Sequence, residues 1–377
     1  MRHPRQKKRI WGETAAALAF VFLCLPGATL AAQRWEVQFF HDKDESALEF
    51  RDLQCPSPQR CIAVGVLQDE KHRPKGTGVV TSDGGEHWSY VELKELPVSL
   101  FFLNDSIGWM ATANGIWQTG EAGRSWKKLK GLKGIERLWF QDPAHGWAVG
   151  YPKAIYETID GGKNWTKSAA AQKPATPAEE TDFTSISFKG PLGIIAGNWV
   201  PGQHQALPAW MDPANERRTF PRQSTTLFLQ TVDGGKNWEL LNRSGDGYVS
   251  RLRLSALDFA LVLFEFPDRA GVPSGLFRID HKTHKAVSIF EQSGMVVRDL
   301  AILPDGDVLL AAIELAGKSS QIPIPGKLKI LHSRSLQTWL DIPVDYRATA
   351  TRPVIAAADS THIWVATDTG MILKLTE

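Results

Sequence analysis

The sequence predicts an all-β fold, a seven-bladed β-propeller of four-stranded blades whose last blade is closed by the N-terminal strand. Three observations support this prediction. An Asp-Gly-Gly turn followed by Trp recurs along the 377 residues, its copies are regularly spaced, and short β-rich runs fill the intervals. Four-stranded units that repeat about every 40 residues are typical of propeller blades. A helical repeat of similar length fits poorly, because Asp-Gly-Gly would interrupt a helix in every unit.

The recurring turn has clear copies at Ser82–Trp88, Thr158–Trp165 and Thr231–Trp238, and a looser one at Thr119–Trp126. In such a turn the Asp accepts hydrogen bonds from nearby backbone N–H groups, and the two Gly residues adopt positive φ. The Trp opens the next strand and buries a large ring. We therefore predict a structural role for Ser82, Asp83, Gly84, Gly85, Trp88, Trp126, Asp160, Gly161, Gly162, Trp165, Asp233, Gly234, Gly235 and Trp238.

The spacing of the motif sets the length of a blade. Trp88, Trp126 and Trp165 lie 38 and 39 residues apart, and Trp238 follows 73 residues later, as one further unit with an insertion. A Gly-Trp dipeptide at residues 108–109 and again at 146–147 precedes the motif Trp by 17 and 18 residues. This second marker is expected at the start of the second strand of each blade.

The β-rich runs assign six four-stranded units to residues 47–342, although the motif is worn after Trp238. The last unit, within residues 354–375, lacks a fourth strand. Arg34–Phe40 resembles the strand that follows the motif, with Trp35 in the Trp position. Pairing it with Met371–Leu375 would close a ring of seven and remove the open sheet edges. Six or eight blades are the alternatives to this count.

The N-terminus predicts export. Basic residues between Arg2 and Arg9 precede the apolar run Ala15–Leu25, Pro26-Gly27 and a small-residue stretch, which is the pattern of a secretory signal over residues 1–31. Residues 32–377 then form a single propeller domain with an insertion at 198–224. We expect a periplasmic protein, or a periplasmic or thylakoid-lumenal one in a phototrophic host. An uncleaved signal anchor is the alternative, although the apolar run is short.

Two further features depend on export. Cys55 and Cys61 flank Pro56 and Pro58 in a short loop, and in an oxidising compartment we expect them to form a structural disulfide. Removing residues 1–31 takes away five basic residues and one acidic residue, so the formal charge falls from +2 to about −2. That balance gives no indication of a nucleic-acid partner.

Residue chemistry argues against catalysis. The motif carboxylates are expected in separate turns, far from one another. Sialidases share the motif but need an Arg cluster and a Tyr nucleophile, and the Arg residues at 217, 218 and 222 fall in one loop. His281-x-x-His284 has loose metal-ligand spacing but occupies a worn motif turn. We expect no enzyme activity, cofactor, metal or small-molecule substrate. The alternative is a glycan-binding or sialidase-like hydrolase that uses the central mouth of the propeller.

The turn Asp142–Gly150, of form D-x-x-x-G-W-x-x-x-G, combines with Thr158–Trp165 in a pairing that the second unit repeats. This combination resembles the photosystem II stability/assembly factor-like branch of the Asp-box (BNR repeat) propellers, specifically over residues 100–240. The resemblance implies a non-catalytic exported scaffold that helps assemble or stabilise a membrane-associated complex. Its partner would be a membrane-protein complex or a subunit of one, and the protein itself a monomer.

Loop lengths indicate which face of the propeller binds. The strand 2–3 loops and the linkers between blades share one face, and the long excursions all fall there, whereas the other face has tight turns. Long loops on one rim of a rigid scaffold are where binding usually occurs. The insertion mixes aromatic residues with Arg, as protein contacts do, or else it is a tolerated insertion without fixed structure. The predicted partner-binding residues are Trp199, His204, Trp210, Arg217, Arg218 and Arg222.

Overall fold

The computed structural model describes residues 34–376 except positions 44, 130, 202–223, 246, 256, 258, 268, 270, 316–324 and 346. The backbone separates into two units, Met1–Ala32 and Gln33–Glu377, and the described residues belong to the second. This unit consists of seven antiparallel sheets, each built from strands that are consecutive in the chain or, in the last sheet, joined by the N-terminal strand.

The first four blades contain the Asp-Gly-Gly turns. Blade 1 comprises β2 (Ala47–Ser57), β3 (Arg60–Gln68), β4 (Pro74–Thr81) and β5 (Ser89–Leu93). Blade 2 comprises β6 (Pro97–Phe102), β7 (Gly108–Thr112), β8 (Gly115–Thr119) and β9 (Lys127–Lys128). Blade 3 comprises β10 (Ile135–Phe140), β11 (Gly146–Gly150), β12 (Ala154–Thr158) and β13 (Thr166–Lys167). Blade 4 comprises β14 (Thr181–Lys189), β15 (Leu192–Trp199), β16 (Ser224–Thr231) and β17 (Glu239–Gly245).

The remaining three blades keep the architecture without the clear motif. Blade 5 comprises β18 (Tyr248–Leu254), β19 (Phe259–Glu265), β20 (Ser274–Asp280) and β21 (Ala286–Glu291). Blade 6 comprises β22 (Met295–Ile302), β23 (Val308–Glu314), β24 (Gly326–Ser333) and β25 (Leu340–Ile342), and the short β26 (Thr349–Ala350) also pairs with β24. Blade 7 comprises β27 (Val354–Ala357), β28 (Ile363–Ala366), β29 (Met371–Thr376) and β1 (Arg34–Phe40).

The ring closes as predicted. Strand β1 pairs antiparallel with β29, which places Trp35 opposite Leu375 and Phe40 opposite Met371. The first strand of each blade contacts the first strand of the next, and β27 contacts β2. Trp35 is buried in the core between blades 6 and 7. The predicted count of seven four-stranded blades is therefore confirmed.

The Gly-Trp marker builds the core between blades. Gly146 pairs across the sheet with Phe140, and a Cβ on Gly146 would lie 2.4 Å from that ring. Because glycine leaves this space open, the Phe140 ring lies flat against Trp109 of the preceding blade, with centroids 3.6 Å apart and planes 6° apart. Trp165 meets the same Phe140 ring edge-on. One Phe thus joins two tryptophans from neighbouring blades.

The interval Ala169–Thr181, which reads as an exposed linker, is a folded cover. It contains two 3-10 turns, Ala169–Gln172 and Ala178–Glu180. The Lys153 ammonium group donates to the carbonyl oxygens of Pro174 and Thr176, at 2.7 and 2.6 Å. Two alanines of the first turn are buried in the core between blades 3 and 4. The Lys153 contacts, which join residues more than twenty positions apart, are what fix this segment.

The two faces of the ring differ in their loops. We call the face that carries the strand 1–2 and strand 3–4 turns the box face, and the face that carries the strand 2–3 loops and the links between blades the loop face. Backbone hydrogen bonds join the two kinds of box-face turn within a blade, from Gly84 N–H to Gln59 and from Gly161 N–H to Ala144. The disulfide Cys55–Cys61, with Cα atoms 4.1 Å apart, forms in the strand 1–2 turn of blade 1. Within the described residues no helix is long and apolar enough to cross a membrane.

Candidate functional site

The carboxylate of each Asp-Gly-Gly turn accepts hydrogen bonds from residues of the same turn. Asp160 accepts hydrogen bonds from the backbone N–H and the side-chain amide of Asn164, at 2.9 and 2.7 Å, and from the Thr158 hydroxyl at 2.9 Å. Gly161 and Gly162 have φ of 77° and 91°, a region that favours glycine. The hydrogen bonds donated by Asn164 lower the pKa of Asp160 to about 2. This carboxylate is ionised and engaged within its turn.

The other turns repeat this geometry with small changes. Asp233 is held in the same way by Asn237 and Thr231. In blade 2, where the motif is looser, Glu121 takes the acidic position and Ala122 adopts a φ of 56°. The Asp-Gly-Gly turns lie in three separate blades, 1, 3 and 4, so their carboxylates do not meet at one site.

The first turn requires a correction to the residue assignment. The hydroxyl that closes it belongs to Thr81, which donates to Asp83 at 2.8 Å and accepts from Gly85 N–H at 3.0 Å. Ser82 occupies the exposed position before the Asp, and its hydroxyl accepts from Arg124. Thr81 lies one position earlier, where the other turns carry Thr158 and Thr231. Alignment on Asp rather than on Ser would have found it.

Each turn also touches the neighbouring blade. The Trp109 indole N–H of blade 2 donates to the carbonyl oxygen of Gly161 in blade 3, at 3.0 Å. A Cβ on Gly235 would lie 2.7 Å from the Trp147 ring of blade 3, and one on Gly85 would lie 3.1 Å from the Trp364 indole nitrogen of blade 7. In blades 1 and 4 the second glycine of the motif thus lies against the tryptophan of the preceding blade, and in blade 3 the carbonyl of the first glycine accepts from it. The turns therefore join adjacent blades.

Two sets of metal-ligating side chains fall on the box face. Among the described residues, Asp83, Glu86 and His87 bring one ligand atom each within 4.8 Å of one another. Both Asp83 oxygens already accept hydrogen bonds from His87, one from its N–H and one from its ring. His281 is 9% exposed and lies in the folded turn of blade 5 rather than in solvent. Neither set forms an enclosed metal site.

The central channel presents a second group of charges, on the first strands of the blades. Each of the first strands of blades 1 to 6 carries an irregularity in pairing close to its start, at the positions Arg51, Val98, Glu136, Thr184, Ser250 and Arg298. A bulge turns successive side chains to the same side of a strand. It therefore directs polar side chains toward the channel that the first strands enclose.

Two carboxylates in this ring bind backbone groups of the next blade. Asp52 of blade 1 accepts from Leu100 N–H of blade 2 at 2.8 Å. Asp299 of blade 6 accepts from Ile355 N–H of blade 7 at 3.1 Å, and also from the Arg251 guanidinium of blade 5 at 3.2 Å. Asp299 is only 3% exposed, so its charge is balanced inside the ring. These aspartates join blades rather than presenting free acceptors.

The remaining channel charges are less completely paired. Burial lowers the pKa of Arg137 to about 10, with a further lowering by Arg251, and the group stays charged at neutral pH. Burial raises the pKa of Glu136, against the attraction of Arg137 and Arg251. Burial and the Glu136 carboxylate together raise the pKa of Asp182 to about 7. Asp182 Oδ1 is buried without a hydrogen-bond partner. The channel therefore combines guanidinium groups with two carboxyl groups whose pKa values are raised by burial, and for Asp182 also by repulsion from Glu136.

The loop face surrounds this channel. The Trp199 indole donates to Glu180 at 3.0 Å and packs against the core between blades 3 and 4. A cavity of about 570 Å³ opens between blades 1 and 2, lined in part by Leu67, Glu95 and Leu96. Of the predicted partner-binding residues, Trp199 is described and is held in place by the cover segment. The others, His204, Trp210, Arg217, Arg218 and Arg222, lie outside the described residues.

The channel residues are not predicted by the sequence motifs. Glu136, Arg137, Asp182, Arg251 and Asp299 are charged residues within otherwise apolar first strands. Charged residues are rare in buried strands, and that rarity was the available signal. Their convergence depends on the bulge register, which the sequence pattern does not show.

These features define the protein as a seven-bladed β-propeller built with Asp-box (BNR repeat) turns. Residues 133–203 match the family model described as Photosynthesis system II assembly factor YCF48. The matched segment covers blade 3 and the first two strands of blade 4, and it includes Glu136, Arg137 and Asp182. The resemblance predicted from the motifs is confirmed in this part of the chain.

Curated relatives agree over a similar length. The chain is 31% identical over 139 residues to the Photosystem II assembly lipoprotein Ycf48 of Synechococcus sp. (strain CC9902), covering 31% of this chain and 39% of that protein. It is 30% identical over 136 residues to the protein of the same name from Picosynechococcus sp. (strain ATCC 27264 / PCC 7002 / PR-6), covering 30% and 38%. The alignments thus span well under half the length of these relatives.

Solved structures extend the likeness of fold to most of the chain. A structure described as YCF48 bound to D1 peptide superposes with a TM-score of 0.59 at 16% identity, covering 91% of this chain and 97% of that one. YCF48 from Cyanidioschyzon merolae superposes with a TM-score of 0.56 at 18% identity, covering 90% and 98%. At these identities the likeness establishes the propeller fold alone.

Proposed function

We propose that the protein is a non-catalytic, exported scaffold that binds a peptide segment of a membrane-associated protein complex and acts as its assembly or stability factor. The observation that carries this proposal is that the family-matched segment also supplies charged residues of the channel. The segment that matches the assembly-factor family, residues 133–203, is also the segment that brings Glu136, Arg137 and Asp182 to the channel. A relative of the same fold is described as bound to a D1 peptide.

The channel chemistry suits an extended chain with carboxylate groups. Arg137 lies in blade 3, and Arg251 and Arg253 lie in blade 5, so their guanidinium groups approach the channel from different directions. Guanidinium groups bind carboxylates through paired hydrogen bonds in a fixed geometry. Arg253 is 3.8 Å from Asp299 and its side chain is 35% exposed, which leaves it donors for a ligand. We infer that a partner segment containing acidic residues or a C-terminal carboxylate binds here.

The predicted loop-face residues extend this site. We propose that Trp210, Arg217, Arg218, Arg222 and His204, in the insertion, also contact the partner. Replacing Trp210, Arg217 and Arg218 with Ala is expected to reduce partner capture without changing the melting temperature. Capture at the wild-type level would remove the insertion from the site.

The hydrolase alternative has less support. The Asp-box carboxylates are hydrogen bonded within their own turns in separate blades. Glycosidases use two carboxyl groups on either side of one bond, and sialidases use a Tyr nucleophile with a carboxylate partner. Glu136 and Asp182 are a carboxyl pair in the channel, and they face Arg137 and Arg251 instead of a tyrosine. Assays with fluorogenic sialosides and β-glucans test the alternative, and turnover that Asp182→Asn abolishes would favour it.

We also propose that the protein works outside the cytoplasm, as a monomer. The signal pattern of residues 1–31 supports export, and the matching relatives are named lipoproteins. A phosphatase fused after residue 377 measures the location of the protein. Phosphatase activity is expected in the periplasm or lumen, and activity confined to the cytoplasm would contradict export.

The test of the proposed function uses overlapping peptides from the extramembrane segments of the host's membrane complexes. Wild-type protein is expected to bind a small set of them, and Arg137→Ala with Arg253→Ala is expected to weaken binding at least about tenfold, since a charge-assisted hydrogen bond contributes about 1.5–3 kcal/mol. Arg334→Ala is the matched control, because this arginine lies in the strand 3–4 turn of blade 6, on the box face, and its side chain is 85% exposed. Binding unaffected by the channel substitutions would contradict the site.

A further inference from the structure

Three exposed aliphatic side chains project from neighbouring turns of the box face. Ile159 of blade 3 is 79% exposed, Val232 of blade 4 is 66% exposed and Leu257 of blade 5 is 62% exposed. Outside the strands, Leu315 is the one other exposed large hydrophobic residue among those described, and it lies on the loop face. We call Ile159, Val232 and Leu257 the apolar tips. They lie in three consecutive blades, on one side of the box face.

The hydrogen bonds of the turns do not involve the side chains of Ile159 and Val232. Ile159 and Val232 occupy the position before the Asp of the Asp-box, where blades 1 and 2 carry Ser82 and Gly120. That position points away from the turn, since the hydrogen bonds of the box use the Thr before it and the Asp after it. An aliphatic side chain here gains nothing from the fold and exposes apolar surface to water.

Basic side chains lie near the tips. Lys163 and Lys236 belong to the same two turns, and Lys189 lies at the strand 1–2 turn of blade 4. All three are exposed, and none makes an ion pair with a described residue. The nearby carboxylates Asp160 and Asp233 accept hydrogen bonds from within their own turns. The carboxylates are ionised but engaged within their turns, so the ammonium groups are the charged groups beside the tips that have donors available for a ligand.

The N-terminal segment joins the ring on the same face. Arg34 pairs with Thr376 at the end of β29, and Lys374 of that strand donates to the Gly84 carbonyl in the Asp-box of blade 1. Strand β1 therefore begins at the box-face end of blade 7. In a ring of seven, blade 7 lies across from blades 3 and 4, so the start of β1 and the tips mark opposite edges of one face.

We propose that the box face lies against an anionic lipid surface, with Ile159, Val232 and Leu257 inserted between headgroups and Lys163, Lys189 and Lys236 on the phosphates. Scattered aliphatic tips with lysines suit the interface of a bilayer, whereas protein contacts centre on aromatic and Arg anchors in pockets. This orientation goes beyond the proposed function, because it points the loop face and its channel away from the membrane surface.

The test measures which face approaches lipid. The full chain with Cys24→Ser carries a bimane label at Val232→Cys, or at Leu315→Cys as the matched loop-face control. Vesicles of phosphatidylcholine with 30% phosphatidylglycerol contain a headgroup-level nitroxide quencher. Quenching at position 232 is expected to exceed that at position 315 at least threefold. Equal quenching at the two positions, or stronger quenching at 315, would overturn the proposal.

Substitutions at the tips and at the lysines test whether these side chains, and not the N-terminal segment, bring the box face to the lipid. Ile159→Ser with Leu257→Ser is expected to reduce quenching of the label at 232 by half or more, and Lys163→Gln with Lys236→Gln is expected to remove the preference for phosphatidylglycerol over pure phosphatidylcholine. If position 232 stays unquenched on lipid vesicles but is shielded in native membranes, the face binds a protein and the lipid proposal is wrong. Peptide binding at the channel is measured separately in solution, so failure of either proposal leaves the other standing.

Discussion

The Trp109 indole N–H donates to the carbonyl oxygen of Gly161 at 3.0 Å, and this bond joins the second strand of blade 2 to the Asp-box of blade 3. The two sequence markers therefore meet at the junctions between blades, where the Trp of one blade contacts the Asp-box turn of the next.

Trp109→Phe tests this bond. Phenylalanine keeps an aromatic ring against Phe140 but removes the N–H donor and leaves the buried Gly161 carbonyl unsatisfied. We expect a loss of about 1 to 3 kcal/mol in the free energy of unfolding, the range for an unsatisfied buried polar group. Trp126→Phe is the control, since Trp126 is half-buried and meets Phe102 edge-on. Equal losses for the two substitutions, measured by denaturant unfolding, would count against the bond.

Alanine substitutions at two adjacent glycines distinguish the cost of backbone strain in the turn from the cost of a clash between blades. Gly234 and Gly235 have φ of 74° and 91°, so alanine is strained at both. A Cβ on Gly234 meets nothing within 4 Å, whereas one on Gly235 lies 2.7 Å from the Trp147 ring. Gly234→Ala is expected to cost about 1 kcal/mol, and Gly235→Ala at least about 2 kcal/mol more, as overpacking does. Matching melting temperatures would show that the blades are not in contact here.

The Cys55–Cys61 disulfide closes a short loop in the first blade. In the chain-entropy account a loop this small stabilises by about 2 kcal/mol. Cys55→Ser with Cys61→Ser is expected to lower the free energy of unfolding by about that amount and to make stability insensitive to dithiothreitol. Wild-type protein reduced with dithiothreitol is the control, and its stability is expected to match that of the double variant. A double variant as stable as the wild type would show that the bond contributes nothing.

The carboxyl pair of the channel predicts an unusual dependence on pH. The pKa of Asp182 in the folded state, about 7, lies above its ordinary value of 3.8. The native state therefore binds more protons than the unfolded state between these values, and stability falls as the pH rises through this window. Asp182→Asn is expected to be more stable than the wild type at pH 8 and to lose this advantage near pH 4.

Asp142→Asn is the control for this prediction, because the pKa of Asp142 is shifted in the opposite direction to that of Asp182. Hydrogen bonds from the His145 and Ala144 N–H groups lower the pKa of Asp142. Its contribution to stability is present above the ordinary Asp pKa and disappears as the pH falls below that value, so this variant is expected to be less stable than the wild type at pH 8. Urea unfolding at pH 4, 6 and 8 compares both variants. A stability gain for Asp182→Asn that is independent of pH would contradict the raised pKa of Asp182.

Much of the fold could be predicted from the sequence, because each blade carries local signals. Asp-Gly-Gly marks the last turn, Gly-Trp marks the second strand, and Trp35 in the motif position identified β1 as the strand that closes blade 7. Those signals are short-range and repeat, so their register can be counted. The box hydroxyl of Thr81 was missed only because the first motif was aligned one residue late.

The candidate site was harder to predict. Glu136 lies at a bulge of β10 and interacts with Asp182 of the next blade, and a bulge has no sequence signature in this chain. The cover at residues 169–181 reads as a polar linker, yet Lys153 holds it through backbone carbonyls that composition does not encode. Contacts of this kind depend on the closed ring. The insertion that carries most of the predicted partner-binding residues lies outside the described part of the chain.

The central claim is that the Asp-boxes fasten the ring while the loop face binds the partner. Hydrogen–deuterium exchange of the detergent-solubilised complex with its captured partner tests it most directly. Protection on binding is expected at the cover segment 169–181 and at the starts of β10, β14 and β18, with no change in the turns at residues 81–88, 158–165 and 231–238. Protection confined to those three turns, with the cover segment unchanged, would contradict the account.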